Sequence, residues 1–333
     1  MQWRRGASWR VAAVSAIVVF SASWAWPSAA AAADSEPYPN RTIRIVVPSA
    51  AGAADLPARL IGEKLEEALG QPVNVENRPG ASYNIASEIV SKAPADGYTL
   101  LVTTSVITLL PSTLGKLAVD PVASFTPIMK LASVPLVIVA HPSLGVNSLD
   151  DLLALARQKP GRIAYATQGV GTVAHLTATM IARRAGVEML HIPYVNTGQA
   201  LKDVLSGEVP VYFSFRGTVD GMLRGGQVKG LAVASTRRMQ AWPEIPTVVE
   251  LGFAEAAVDP WYGLLAPAGT PPEIIDRLYR ELARIIQLPE LREKFAQMGM
   301  ELVGSTPQQF STEIREAAAR WPAIVKAAGF RPE

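Results

Sequence analysis

The sequence predicts an α/β protein built in two halves, each a sheet flanked by helices. Three observations carry this prediction. Apolar strand-like runs alternate with helix-like stretches along almost the whole chain, the pattern of mostly parallel sheets. Two loops of small residues, Pro48-Ser49-Ala50-Ala51-Gly52-Ala53-Ala54-Asp55 and Thr167-Gln168-Gly169-Val170-Gly171-Thr172, each join an apolar strand to a helix start. The length of 333 residues exceeds one typical domain, so two lobes are expected.

The first half opens with a strand over 43–47, the first small-residue loop and a helix over 56–69. Asp55 is a plausible N-cap, Pro57 fits the first turn and Gly70 ends the helix. A strand at 73–76, a turn at Asn77-Arg78-Pro79-Gly80, a helix over 85–92 and a strand at 98–103 follow. Further strands are expected at 125–131 and 136–140, the second a candidate crossover into the other lobe. There Ser148 caps a helix over 149–158, with Asp151 at the third helical position. A strand at 162–166 leads into the second small-residue loop and a helix that stops before Gly186. A strand at 189–193, a helix over 198–205 capped by Thr197, and strands at 209–213 and 231–234 complete this half. A return strand at 261–266 precedes helices over 272–286, 289–298 and 307–328, the last started by Thr306-Pro307 and stopped by Gly329.

Residues 1–33 read as a cleaved signal peptide. Arg4, Arg5 and Arg10 precede an apolar run over 11–26, and an alanine-rich stretch ends near Ala33, ahead of Asp34. Removing them takes away three arginines and no acid, so the formal net charge falls from +2 to −1. With no basic run longer than Arg183-Arg184 or Arg237-Arg238, the mature chain lacks the sequence footprint of a nucleic-acid binder. There is no cysteine, which excludes disulfides, thiolate nucleophiles and cysteine-based zinc sites.

Catalytic motifs are missing as well. Gly169 and Gly171 are not followed by a third glycine at Ala174, which argues against a dinucleotide fingerprint, and there is no phosphate-loop Gly-Lys-Ser/Thr. No Gly-x-Ser-x-Gly elbow is present, and His141, His175 and His191 match no metal spacing. Neither a metal, a cofactor nor an enzymatic activity is expected. What remains is equipment for recognition. Unpaired amides and the helix dipole favour an anion where each small-residue loop enters its helix. Ser49, Thr103, Thr104, Ser105, Thr167, Gln168, Thr172 and Asn196 add neutral donors at strand ends or helix starts, where ligands of open α/β sheets sit. His175, one turn into its helix, either braces the second loop or touches ligand. Arg216 either pairs with an anion or is structural. Tyr83 and Trp261 pack on a ligand or in the core.

Several motifs recur together in one order. They include Glu76-Asn77-Arg78-Pro79-Gly80-Ala81, Asn84-Ile85, Asp96-Gly97-Tyr98-Thr99-Leu100, Gly169-x-Gly171-Thr172-x-x-His175-Leu176, Pro193-Tyr194, Leu264-Leu265-Ala266-Pro267-Ala268-Gly269-Thr270-Pro271 and Gly304-Ser305-Thr306-Pro307. In these the chain resembles the Bug/TctC family, periplasmic substrate-binding proteins of tripartite tricarboxylate transporters, over essentially all of its mature length. The resemblance implies a two-lobed Venus-flytrap fold of the type II periplasmic-binding-protein kind, with a hinge between lobes: lobe 1 from 38–139 plus 260–333, lobe 2 from 140–259. It implies a small organic carboxylate gripped by two loops, largely through backbone N–H groups and ordered water. On this chain those loops supply Ser49, Ala50, Ala51, Gly52, Ala53 and Asp55 from one side and Thr167, Gln168, Gly169, Gly171, Thr172 and His175 from the other. Thr103, Thr104, Ser105, Asn196 and Thr197 complete the cleft.

The departures from the family pattern are informative. Gly52 is the sole glycine of the first loop, and Tyr83 stands where the family has a small residue. Ser214-Phe215 replaces an Asp-Asn pair and is followed by Arg216. Loss of the acid disfavours an ammonium-bearing ligand, while Phe215 and Arg216 point to a dicarboxylate, aromatic ones included. The implied partners are membrane permease subunits or, alternatively, a sensor kinase that reads the closed form; the protein itself is expected to be a periplasmic monomer.

Overall fold

A computed structural model describes residues 38–49, 55–80, 83–114, 119–194 and 196–329. The expected signal peptide and Ala50, Ala51, Gly52 and Ala53 lie outside the described residues. Two sheets organise the chain. The first receives β1 (Ile43–Val47), α1 (Asp55–Leu69), β2 (Val73–Asn77), α2 (Asn84–Ser91), β3 (Thr99–Thr104), α3 (Val106–Thr113) and β4 (Phe125–Ser133). The second is built from β5 (Leu136–Ala140), α4 (Leu149–Gln158), β6 (Ala164–Thr167), α5 (Val173–Ala185), β7 (Leu190–Pro193), α6 (Thr197–Leu205), β8 (Val211–Phe215), α7 (Arg216–Arg224) and β9 (Lys229–Val233). The chain then returns to the first through β10 (Trp261–Pro267), α8 (Pro272–Ile285), α9 (Pro289–Gln297), β11 (Glu301–Leu302) and α10 (Pro307–Ala327).

Strand order is β11-β4-β10-β3-β1-β2 in the first sheet and β7-β6-β8-β5-β9 in the second. Each sheet is mixed rather than mostly parallel, a correction to the sequence expectation. β1 runs parallel to β2 and β3, but β10 runs antiparallel to β3 and β4. β6 runs parallel to β7 and β8, but β5 runs antiparallel to β8 and β9. The cause is the way the chain changes sheets. Val134 and Pro135 pass straight from β4 to β5 with no helix to reverse direction, so β5 starts where its neighbours β8 and β9 end and runs antiparallel to both. β10 enters the first sheet in the same manner after the long return from β9.

The two crossings are tied together. Val134 N donates to the Pro260 carbonyl at 2.7 Å, Arg216 N to Pro135 at 2.8 Å and Ala234 N to Leu136 at 2.8 Å. β5 therefore belongs to the second sheet, whereas the sequence placed the boundary after 139.

Local sequence explains most element ends. Ser148 Oγ accepts from Asp151 N at 3.1 Å, and Thr306 and Gln309 form a complete capping box at α10. Asn196, not Thr197, caps α6, accepting from Gly198 N and Gln199 N. The sequence signals neither α3, which carries Pro111 and the β-branched Val106, Ile107 and Thr108, nor α7, which carries Gly217 and Gly221.

Each sheet has its own core. Ile43, Ile45, Leu100, Leu264 and Phe295 are fully buried in the first. Ile138, Leu152, Ile181 and Phe213 lie in the second. Burying each such side chain contributes on the order of 1.5–3 kcal/mol. α10 joins both cores. Phe310 and Ile314 pack with Val46, Leu101 and Trp261, whereas Trp321, Ile324 and Val325 pack with Leu136, Ile138 and Phe213. The expected assignment of all of 260–333 to the first lobe thus misses the second half of this helix. Trp321 Nε1 donates to Thr108 Oγ1 of α3 at 3.0 Å, pinning the junction.

Candidate functional site

The carboxyl ends of β1, β3, β6 and β8 point towards the gap between the sheets, and each leads into a helix. Five helix starts border this cleft: α1 at Asp55 and Leu56, α2 at Tyr83, α3 at Val106, α5 at Val173, and α7 at Gly217 and Thr218. Helix geometry leaves their first amides without intrahelical acceptors, and the dipoles add partial positive charge at the same ends. The cleft holds two cavities, of about 610 Å³ and 450 Å³, which share Tyr83, Val106, Val173 and Phe215. Among the described lining residues none is Lys, Arg or His, and Asp55 is the only one with a formal charge.

The flanks of the first loop are anchored to each other. Arg59 donates from Nε to Asp55 at 3.0 Å and from Nη2 to Asn77 Oδ1 at 3.0 Å, and Asn77 Nδ2 donates to the Ser49 carbonyl at 2.9 Å. The bond from Arg59 holds the Asp55 carboxyl below the usual carboxylate range, against the upward pull of its burial. The Ser49 hydroxyl is buried and has no hydrogen-bond partner among the described residues.

The second loop is braced from within. Gly169 N donates to Thr167 Oγ1 at 3.2 Å and Gly171 N to His175 Nδ1 at 3.1 Å. Both glycines adopt φ values of +133° and +73°, which a side chain rarely tolerates. These two amides are therefore spent inside the loop rather than offered to a ligand, a correction to the simple backbone-grip expectation. The donors that helix geometry leaves open belong to the first turn of α5, at Val173 and Ala174. Thr172 caps that helix and Thr172, Gly171 and Gln168 line the smaller cavity.

His175 is the brace and not a lining residue. Its ring stacks on His191 at 4.1 Å and 8°, and His191 Nε2 meets Thr167 Oγ1 at 2.7 Å. Burial pushes both imidazoles down; His191, with His175 beside it, falls to about 4. Both rings are neutral at physiological pH, which leaves His175 Nδ1 free to accept.

Of the other expected residues, Thr104 and Ser105 line the larger cavity, Tyr83 and Phe215 line both, and Gln168 Nε2 donates to the buried Ser214 Oγ at 2.9 Å. Thr103 and Thr167 are fully buried in their strands and do not line either cavity. Asn196 and Thr197 sit at the start of α6, away from both cavities.

Arg216 requires the largest correction. It is 3 % exposed and lines neither cavity. Its Nε donates to Asp220 at 3.1 Å and its Nη2 to the Ala296 carbonyl, at the end of α9, at 3.4 Å. Burial pushes the Asp220 carboxyl up, but hydrogen bonds from Trp242, Arg224 and Arg216 outweigh it and hold the group below its usual range. The sequence ends the strand at Phe213 and predicts no helix at Arg216. The strand in fact runs to Phe215, and Arg216 becomes the first residue of α7, turned inward. The dicarboxylate argument built on its guanidinium loses that support.

Next to Arg216 the two lobes touch backbone to backbone. A Cβ on Gly217 would lie 2.5 Å from the Met298 carbonyl oxygen, and one on Gly299 would strike Gly217 itself. Met298 and Met300, which flank this contact, line the larger cavity with Trp261, Tyr262 and Pro260. No local signal marks the methionines in sequence; they reach the cleft through pairing of β11 with β4. Val106 and Thr218 are equally unmarked, because the helices they start are themselves hard to read.

A cleft between two mixed α/β sheets, ringed by helix N-termini, defines a two-lobed solute-binding protein. The model of the tripartite tricarboxylate transporter family receptor, TctC, matches residues 57–330, and the chain belongs to this family. It is similar to protein BugT of Bordetella pertussis, with 36% identity covering 96% of this chain and 98% of that protein. Among solved structures it resembles the R. palustris protein Rpa4515 with adipate, at 32% identity and TM-score 0.73, covering 89% of this chain and 100% of that one. It also resembles a TctC solute-binding protein from Polaromonas without ligand, at 26% identity and TM-score 0.80, covering 87% and 99%. These are solute-binding receptors and not enzymes, and this chain is of their kind.

Proposed function

We propose that this protein captures a small organic carboxylate between its two lobes in the periplasm and presents the closed complex to the permease of a tripartite tricarboxylate transporter. The observation that carries the reading is the convergence of five helix N-termini on a cleft whose described lining has no cationic side chain. Such a site stabilises a carboxylate through amide donors and dipoles, and closure strengthens each of these by excluding water. Family membership and the adipate-bound relative support the same class of ligand. Thr104, Ser105, Gln168, Thr172 and the first turns of α5 and α7 are the proposed donors. The lobes hinge about Val134-Pro135 and the hydrogen-bonded return through Ala234 and Pro260.

A thermal-shift panel of aliphatic and aromatic mono-, di- and tricarboxylates tests the binding. A ligand that binds the folded state alone at 100 times its Kd adds about 2.7 kcal/mol, a shift of several degrees. No shift with any acid of the panel would overturn the reading. Delivery is tested by substrate uptake in a strain lacking the protein, which should fall and be restored by complementation.

A further inference from the structure

We propose that the preferred ligand is an aromatic carboxylate whose ring is clamped between Tyr83 of the first lobe and Phe215 of the second. This rests on the carboxylate-binding reading above and names the body of that ligand.

Tyr83 and Phe215 stand at the waist of the cleft, since both line both cavities. They approach from opposite lobes: Tyr83 starts α2 beside the first sheet, and Phe215 ends β8 of the second. Closure therefore moves one ring towards the other. A flat ring between them is covered on both faces, whereas a puckered or linear body fills the same gap poorly.

The backbone at Tyr83 is set for this position. It adopts φ 78°, a left-handed conformation uncommon for a residue with a Cβ, and its carbonyl accepts from Ser87 Oγ at 2.9 Å. Only one other non-glycine among the described residues, Asp259, has a positive φ. A conformation of this kind beside a cavity is a signature of a functional constraint.

Beyond the waist the larger cavity continues the same chemistry. Trp261 is held edge-on by Phe310, with ring centroids 4.8 Å apart at 84°, and Met298 and Met300 present polarisable sulfur. Tyr262 keeps its proton, because burial and the adjacent Tyr83 push its phenol far up, so it adds a neutral hydroxyl rather than a charge. On the other side of the waist lie Gln168, Thr172 and the start of α5, where the carboxylate is received.

Calorimetry on the full mature chain tests the clamp with three monoanions of similar size: 3-phenylpropionate, 3-cyclohexylpropionate and nonanoate. Adipate and malate are titrated beside them. The expected result is that 3-phenylpropionate binds about three- to tenfold tighter than either matched monoanion. Tyr83→Ala and Phe215→Leu should abolish that preference, and Tyr83→Phe should keep it. Equal binding of the three monoanions, or a preference untouched in Tyr83→Ala, overturns the clamp. If adipate or malate binds and 3-phenylpropionate does not, the clamp falls while the carboxylate reading stands. If none of the five acids binds, both fall.

Discussion

Replacing Gly217 by alanine puts a methyl group against the place where the two lobes touch. The new Cβ lies 2.5 Å from the Met298 carbonyl oxygen, where ordinary contact begins near 3.4 Å, so the lobes must separate there by about 0.9 Å. The obstacle is backbone on both sides and cannot swing away as a side chain does. Overpacking of this kind costs about 1–3 kcal/mol. Alanine recovers up to about 1 kcal/mol of helix propensity within α7, leaving a net loss of roughly 0–2 kcal/mol. For a chain of this size that lowers the thermal midpoint by up to about 6 °C. Relative to a glycine of the same helix that meets no obstacle, the cost is about 1–3 kcal/mol.

Gly221, one turn further along the same helix, is the internal control. A Cβ there meets nothing within 4 Å, so Gly221→Ala gains the propensity alone and should melt at or above the wild type. Scanning calorimetry or fluorimetry on the three proteins reads the difference. If Gly217→Ala is as stable as Gly221→Ala, the close interlobe contact at Met298 and Gly299 is not present in solution.

Arg216→Ala should lower stability by about 2 kcal/mol. It breaks an inward ion pair, but Asp220 keeps its bonds from Arg224 and Trp242. Titration with malate and hexanoate should show affinities reduced by the same factor; a loss confined to the dianion would return Arg216 to the ligand site. Phe310→Ala removes the ring wedged between Trp261 and Gly263 and should cost about 3–5 kcal/mol by chemical denaturation, with a cost below about 1 kcal/mol contradicting the packing. The histidine pair sets an acid limit. Folding lowers the pKa of His191 from 6.5 to about 4, so the unfolded chain takes up the proton first and stability falls as pH drops from 6.5 towards 4. Burial lowers the pKa of His175 too, and protonating it removes the acceptor of Gly171 N, so carboxylate affinity should weaken as the solution is acidified. A melting midpoint whose fall below pH 6.5 is no smaller in His191→Asn would count against this assignment.

Elements with strong local signals were legible in the sequence. The Ser148 and Thr306 caps, the Gly186 stop and the strand Ile43–Val47 all lie where local chemistry puts them. What was not legible depends on contacts distant in sequence. Nothing near β5 says that it joins the second sheet, because that is decided by the direct passage through Val134 and Pro135. Arg216 reads as an anion ligand by residue type, yet two extra residues of β8 and a glycine-bearing α7 turn it inward onto Asp220 and Ala296. The small-residue loop at Gly169 and Gly171 was legible as a loop. That its amides bond to Thr167 and His175 was visible only in three dimensions. Tyr83 stood out by type, whereas Met298 and Met300 reach the cleft through an edge strand of two residues.

The central claim is that the cleft recognises a carboxylate by neutral donors and helix ends. Calorimetric titration of the tightest-binding acid of the panel beside its own primary amide tests this most directly, since the two differ little in shape and by a full charge. The acid should bind at least a hundredfold tighter than the amide, about 2.7 kcal/mol. Equal affinities for acid and amide would contradict the account.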